Sequence, residues 1–129
     1  LHSAYAGLGD AAAAAATTRR LVSFFPAYLA RVPDDARAHI LFASYLAELG
    51  EREQALQEAD TGMALSGNDA VMLYNLSCVY CLLGDVGKAV ESFVQALDAG
   101  YGNYSWARID PDLQSIRDDP RFVAAMAGK

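Results

Sequence analysis

Apolar residues recur at helical spacing along most of the chain, in two stretches that match each other at an interval of 34 residues. Residues 36–69 align on residues 70–103 without a gap. The alignment superimposes Phe42 on Leu76, Leu46 on Tyr80, Leu49 on Leu83, Gly50 on Gly84, and Ala55 on Ala89. A bulky residue in one helix, glycine at a turn and a small residue opposite that turn allow two antiparallel helices to pack closely. The pattern therefore predicts an all-α protein built from paired helices.

The second copy, residues 70–103, shows the helix-turn-helix pattern most clearly. Asp69 precedes a helix predicted over about 70–83, Gly84 turns the chain, and a helix over about 86–99 ends before Gly100. We therefore place the two repeats at residues 34–68 and 69–102, within one domain that spans residues 1–129. The corresponding capping and turn residues of the first copy are Asp34, Asp35 and Gly50.

Residues 1–33 are predicted to be a truncated copy. Aligning Gly9 with the turn glycines makes the chain begin inside a repeat, so we expect a longer natural chain upstream. The expected exposed edge of this copy consists of Leu1, Tyr5 and Leu8. After the turn, the alanine-rich segment from Asp10 predicts a helix of more than five turns. Pro26 either bends this helix or divides it into two near Phe25.

Residues 103–129 are predicted to cap the last repeat. Asp110 and Asp119 each precede a proline, which is typical of a helix start, so we expect two short helices. The side chains expected to cover the apolar end of the repeat are Tyr104, Trp106, Leu113, Ile116, Phe122 and Val123.

The 34-residue helix-turn-helix period resembles the tetratricopeptide repeat. The resemblance implies a right-handed α-solenoid of antiparallel helix pairs, closed by a C-terminal pair of capping helices. Gly62 stands where such repeats mostly carry alanine. The string from Val71 to Asp85, with Asp110-Pro-Asp-Leu and Arg117-Asp-Asp-Pro-Arg-Phe, is similar to the C-terminal repeats of bacterial signalling proteins. In those proteins the repeats follow adenylate cyclase, Ser/Thr kinase or winged-helix domains.

Charge is distributed unevenly. The net charge of −6 combines +2 over residues 1–33, −8 over residues 34–100 and zero beyond. An acidic surface repels a phosphate backbone, so nucleic acid is not an expected partner. The sequence also shows neither a membrane span nor a signal peptide, and its two cysteines suit a reducing compartment. We therefore predict a cytoplasmic protein.

Catalytic and metal motifs are not evident, so we expect neither an enzyme nor a cofactor. The histidines are far apart, with His39 at a helix-packing position and His2 near the start of the chain. Cys78 and Cys81 could supply half of a zinc site, but the sequence offers no second ligand pair. We interpret the two thiols as small apolar side chains on one face of a helix.

A concave groove is the binding site that the resemblance implies. The residues at the family's groove positions are Arg37, Ile40, Ser44, Ala47 and Glu48 from the first repeat, and Val71, Tyr74, Cys78, Cys81 and Leu82 from the second. This surface is mainly apolar, and Arg37 is its sole cation, which argues against a clamp for a terminal carboxylate.

The predicted function is a non-catalytic scaffold that binds a peptide or protein segment in this groove. The alternative is a regulatory or oligomerising segment, which docks on another domain of the same chain or forms a homodimer with a second copy. The N-terminal edge is the expected contact surface of that dimer.

Overall fold

The structure, a computed structural model, describes residues 4–129, with side chains described from residue 11 onward. These residues form eight α-helices and one 3₁₀ helix, and no strand is found among them. The helices are α1 (Ala4–Val22), α2 (Phe25–Arg31), α3 (Ala36–Glu48), α4 (Arg52–Ser66), α5 (Ala70–Leu82), α6 (Val86–Asp98), α7 (Tyr104–Ile109), the 3₁₀ helix (Pro111–Ile116) and α8 (Pro120–Met126). The protein is therefore all-helical, as the pattern predicted.

Aspartate side chains begin the helices that carry the core. The carboxylates of Asp35, Asp69 and Asp85 accept hydrogen bonds from the backbone N–H three residues further along, at 3.0, 3.0 and 3.1 Å. Each bond satisfies an amide that has no partner within its own helix, and each carboxylate lies at the positive end of the helix dipole. These caps fix where α3, α5 and α6 begin.

Glycine allows the tight turns between α3 and α4 and between α5 and α6. Gly50 and Gly84 have φ values of 81° and 79°, which side chains with a Cβ rarely adopt. The amide after each glycine donates back to the helix that has just ended, from Glu51 to Leu46 and from Asp85 to Tyr80, both at 2.9 Å. These turns fold α4 back onto α3 and α6 back onto α5.

Small buried residues let the helices of each pair approach closely. Ala43, Ala55 and Ala59 are fully buried between α3 and α4, while Ser77 and Ala89 occupy the equivalent interior between α5 and α6. The Ser77 hydroxyl donates to the Ala89 carbonyl oxygen at 2.7 Å, so this buried polar group is satisfied. Because α5 also packs against both α3 and α4, one core runs through the two pairs.

The N-terminal segment lacks the turn predicted at Gly9, and near Pro26 it is divided rather than bent. Helix α1 runs through Gly9 and Asp10, so the turn predicted there is wrong. Gly7 and Gly9 each cost this helix about 1 kcal/mol relative to alanine, and the run of alanines that follows has the highest helix propensity of any residue type. Pro26 lies in the first turn of α2, where a missing N–H costs little, and the chain is divided into two helices at residues 23–24. The edge expected from Leu1, Tyr5 and Leu8 lies outside the described side chains.

The C-terminal segment contains three short helices rather than two, because α7 precedes the pair begun by Asp110 and Asp119. Leu113, Ile116 and Phe122 are buried as predicted. Trp106 and Val123 are 43% and 55% exposed, so their predicted covering role is wrong. A short helix buries only one stripe of residues, and these two side chains lie outside that stripe. Tyr104 is half-buried.

None of the helices in residues 4–129 combines the length and the apolar character needed to cross a membrane.

Candidate functional site

A groove with a volume of about 1070 Å³ lies between α3, α5 and the C-terminal segment that begins with α7. We call it the α3–α5 groove. Eight of the ten predicted groove residues line it: Arg37, Ile40, Ser44, Glu48, Tyr74, Cys78, Cys81 and Leu82. The structure therefore brings together most of the positions that were chosen by repeat register.

Two predicted residues do not line the groove. Ala47 is half-buried and packs against the core between the helices. Val71 is 54% exposed but does not line the groove, although the next residue of α5, Met72, does. Repeat register identifies the face of a helix but does not specify which side chains on that face reach the groove.

The floor and the rim of the groove differ in accessibility. Ile40 and Tyr74 are each 5% exposed and form the floor, so they offer little surface to a partner. Leu41, Leu82 and Trp106 are 44%, 59% and 43% exposed and stand on the rim. Tyr74 therefore lines the groove as predicted but exposes little surface, and most of the accessible apolar surface belongs to the rim residues.

The C-terminal segment closes one side of the groove through a buried hydrogen bond. The Tyr74 hydroxyl donates to Oδ2 of Asp110 at 2.6 Å, and Asp110 is only 3% exposed. Oδ1 of Asp110 accepts from the Asp112 amide at 2.9 Å. Arg117 donates to the Asp110 carbonyl oxygen at 2.6 Å and so holds the same segment from behind. These bonds fix the segment against α5.

The two cysteines face the groove as free thiols. Burial raises the pKa of Cys78, and the carboxylates of Asp110 and Asp112 raise it further. Burial also raises the pKa of Cys81, partly opposed by a hydrogen bond with Ser115. Both thiols therefore stay protonated at neutral pH, which makes them weak nucleophiles and weak metal ligands.

Cys78, Asp110 and Asp112 offer ligand atoms that lie within 4.8 Å of one another. The sequence did not suggest this group, because 32 residues separate Cys78 from Asp110. Its members already interact, since the Cys78 thiol donates to Oδ2 of Asp110 at 3.9 Å and that oxygen also accepts from Tyr74. We interpret the group as a hydrogen-bonded network that holds the C-terminal segment on α5.

His39 lies outside the groove, buried beside α4. Its Nδ1 contacts a carboxylate oxygen of Glu58 at 2.6 Å, and its Nε2 contacts the carbonyl oxygen of Pro33 at 2.8 Å. Both ring nitrogens are therefore engaged in joining α3 to its neighbours. His2 lies outside the described residues.

Sequence reasoning missed the residues that the C-terminal segment contributes to the groove: Trp106, Asp110, Pro111, Asp112, Gln114 and Ser115. A signal for some of them was present. Continuing the 34-residue register past residue 103 places Trp106 on Met72 and Asp112 on Cys78, both of which line the groove. The prolines in this segment instead predict helix starts.

Comparison with known proteins gives one similarity. The chain is 33% identical over 76 residues to a chloroplastic protein of Arabidopsis thaliana. The matched region covers 57% of this chain and 23% of that protein, so the chain spans less than a quarter of the length of this curated relative. No protein-family model matches the chain, and no solved structure matches it.

Proposed function

We propose that this chain is a tetratricopeptide-type interaction module that binds a peptide segment of another protein in the α3–α5 groove and catalyses no reaction. The observation that carries the proposal is the groove itself. Its volume of about 1070 Å³ is enough for several side chains of a peptide, and three elements wall it. Leu41, Leu82 and Trp106 expose apolar surface on its rim, where a partner can cover it.

Stacking of the helix pairs as a right-handed solenoid is part of this proposal. It is supported by the 34-residue period, by the matching glycine turns and by the packing of α5 on α3 and α4. In such a solenoid the first helices of successive pairs line the concave face. Equivalent positions of α3 and α5 do line the groove, with Ser44 matching Cys78 and Glu48 matching Leu82.

Peptide selection with a matched pair of variants tests the proposal. Random peptides are selected by phage display on the immobilised protein, and the affinity of the enriched peptides is measured by calorimetry. We expect Leu82→Asp to weaken binding about tenfold or more, because it places a charge on the apolar rim. Leu65→Asp is the control, since Leu65 is 40% exposed on α4 and does not line the groove. Tyr74 is unsuitable for this test because it is buried.

Two results contradict the proposal. One is that no peptide is enriched by the folded protein. The other is that Leu82→Asp and Leu65→Asp bind the enriched peptides equally well, which places the contact elsewhere. Circular dichroism of each variant confirms that it is folded before its affinity is compared.

A second candidate is the regulatory or oligomerising role. It is favoured by exposed apolar side chains around α2: Leu21 at the end of α1, Phe24 just before α2 and Val32 just after it are 43%, 62% and 36% exposed. If these side chains mediate self-association, sedimentation equilibrium shows a mass that rises with concentration, and Phe24→Asp abolishes the rise. A monomer at all concentrations contradicts self-association.

A further inference from the structure

The α3–α5 groove combines apolar rim residues with an excess of negative charge. Glu48, Asp110 and Asp112 line it, whereas Arg37 is the one cation among the described residues of the lining. We infer that its occupant is a peptide segment that places a lysine or arginine beside bulky apolar side chains. This inference rests on the proposed function, and it specifies the chemistry of the partner.

The apolar part of the occupant is defined by the rim. Leu41 comes from α3, Leu82 from α5 and Trp106 from α7, so the apolar side chains of an occupant meet three different elements. Each rim side chain is between two-fifths and three-fifths exposed. Leucine-sized or aromatic side chains that cover these rim residues remove apolar surface from water on both partners. Aromatic side chains such as Trp106 are also frequent contributors to binding energy.

The basic part of the occupant is defined by Asp112 and Glu48. Both side chains are exposed at the groove, and among the described side chains neither is paired with a cation. Two basic residues close to the groove are bound to backbone groups instead, since Arg52 donates to the Leu83 carbonyl oxygen and Arg117 donates to those of Ala107 and Asp110. Within the described part of the chain Glu48 accepts only a neutral hydrogen bond, from the Thr18 hydroxyl at 3.4 Å, so both carboxylates can pair with a cation of a partner.

Asp110 adds to the same negative region from behind. Its buried carboxylate lies with that of Asp112 beside the Cys78 thiol, and its polar partners are the Tyr74 hydroxyl, the Cys78 thiol and the Asp112 amide, none of which carries a positive charge. A positive charge close to two carboxylates is attracted by both, and partial exclusion of water strengthens the attraction.

An acidic occupant fits poorly. Arg37 lies eleven residues from Glu48 on α3, so the two residues are about 16 Å apart along the helix axis. A carboxylate that approaches Asp112 or Glu48 is repelled, and the protein as a whole carries −6. The charge pattern therefore selects a basic segment over an acidic one.

Short amidated peptides with a pair of leucines and one charged position test the inference. One set carries lysine at that position and the other carries glutamate. We expect the lysine peptides to bind about tenfold more tightly at low salt, with the difference decreasing as ionic strength rises. Asp112→Asn should reduce the lysine preference about threefold, whereas Asp118→Asn, which alters an exposed carboxylate outside the groove, should leave it unchanged.

The outcomes separate this inference from the function on which it rests. If both peptide sets bind equally and Leu82→Asp weakens both, the groove binds peptides and the basic preference is wrong. If neither set binds and Leu82→Asp instead prevents self-association, a second copy fills the groove, which overturns the inference and the proposed partner together. Binding that Leu82→Asp leaves unchanged contradicts the groove as the site.

Discussion

At the residue scale, Gly62 sets the distance between α3 and α4. A Cβ added to Gly62 would stand 2.7 Å from Cγ1 of Ile40, well inside van der Waals contact. Ile40 is β-branched and 5% exposed, so it has few ways to move aside. An alanine at this position would therefore not fit without a shift of one helix.

Gly62→Ala is expected to destabilise the protein by about 1 to 2 kcal/mol. Overpacking of a core costs roughly 1 to 3 kcal/mol, and the gain in helix propensity returns less than about 1 kcal/mol. The measurement is urea unfolding followed by circular dichroism. Gly87→Ala is the matched control in α6, where the added Cβ meets nothing closer than 3.8 Å, so it should stabilise the protein by about 0.5 kcal/mol. Equal effects of the two substitutions would contradict the close contact.

Local chemistry explains which residues could be predicted from the sequence. The aspartate caps and the turn glycines act on backbone groups within a few residues, so their types are informative by themselves. The exposure of Trp106 and Val123 was not predictable, because it depends on how short helices orient after the last repeat. Burial of large apolar residues is only a tendency, which these two residues do not follow.

At the element scale, one carboxylate joins three helices. Asp60 on α4 accepts from the Tyr80 hydroxyl of α5 at 2.7 Å and from Lys88 Nζ of α6 at 2.9 Å. Burial tends to raise the pKa of Asp60, but these two hydrogen bonds outweigh it and lower the pKa below the usual 3.8. The ionised carboxylate is therefore favoured by the folded state.

Acid should remove part of the stability that Asp60 supplies. A folded pKa below the unfolded value means that the contribution is complete above about pH 4 and is lost as pH falls through the lower, folded value. Urea midpoints at about pH 6, 4 and 3 measure this loss. In Asp60→Asn the decrease from about pH 4 to 3 should be smaller than in the unmodified protein. Asp98→Asn, at an exposed position of α6, should show the unmodified decrease, and an identical curve for all three proteins would contradict the assignment.

The boundary between α1 and α2 could be predicted only in part. Pro26 could be recognised as a break, but bending and division were equally compatible with the sequence. The structure divides the helix, and Phe25 stacks on Phe42 of α3 with ring centroids 5.0 Å apart. That contact spans 17 positions of the chain, so a local pattern could not reveal it. The turn predicted at Gly9 failed for the opposite reason, since local alanine propensity overrode the repeat register.

At the scale of the whole molecule, the last helix is attached through an aromatic stack. Phe122 of α8 lies on Phe93 of α6 with ring centroids 4.4 Å apart, and both rings are buried. We expect Phe122→Ala to cost about 3 to 5 kcal/mol in the free energy of unfolding, because it leaves a cavity over a fully buried ring. Val123→Ala, at the adjacent and 55% exposed position, should change it by less than about 0.5 kcal/mol. Similar losses for both variants in chemical denaturation would contradict this packing.

The groove could be predicted in part because repeat register identifies the helix faces that share a side. Eight of its residues came from that register. Its third wall depends on the bond between Tyr74 and Asp110, which are 36 residues apart, and no local pattern marks such a pair. The negative charge of the groove was missed for the same reason, because Asp110 and Asp112 belong to that wall.

Trp106 is the only tryptophan of the chain and stands on the rim of the groove at 43% exposure. The most direct test of the account is therefore the fluorescence of Trp106 during titration with a lysine-containing peptide. A bound peptide removes water from the ring, so the emission should move to shorter wavelength and saturate at the affinity found by calorimetry. An unchanged emission at peptide concentrations that saturate the calorimetric signal would mean that the peptide binds away from the groove.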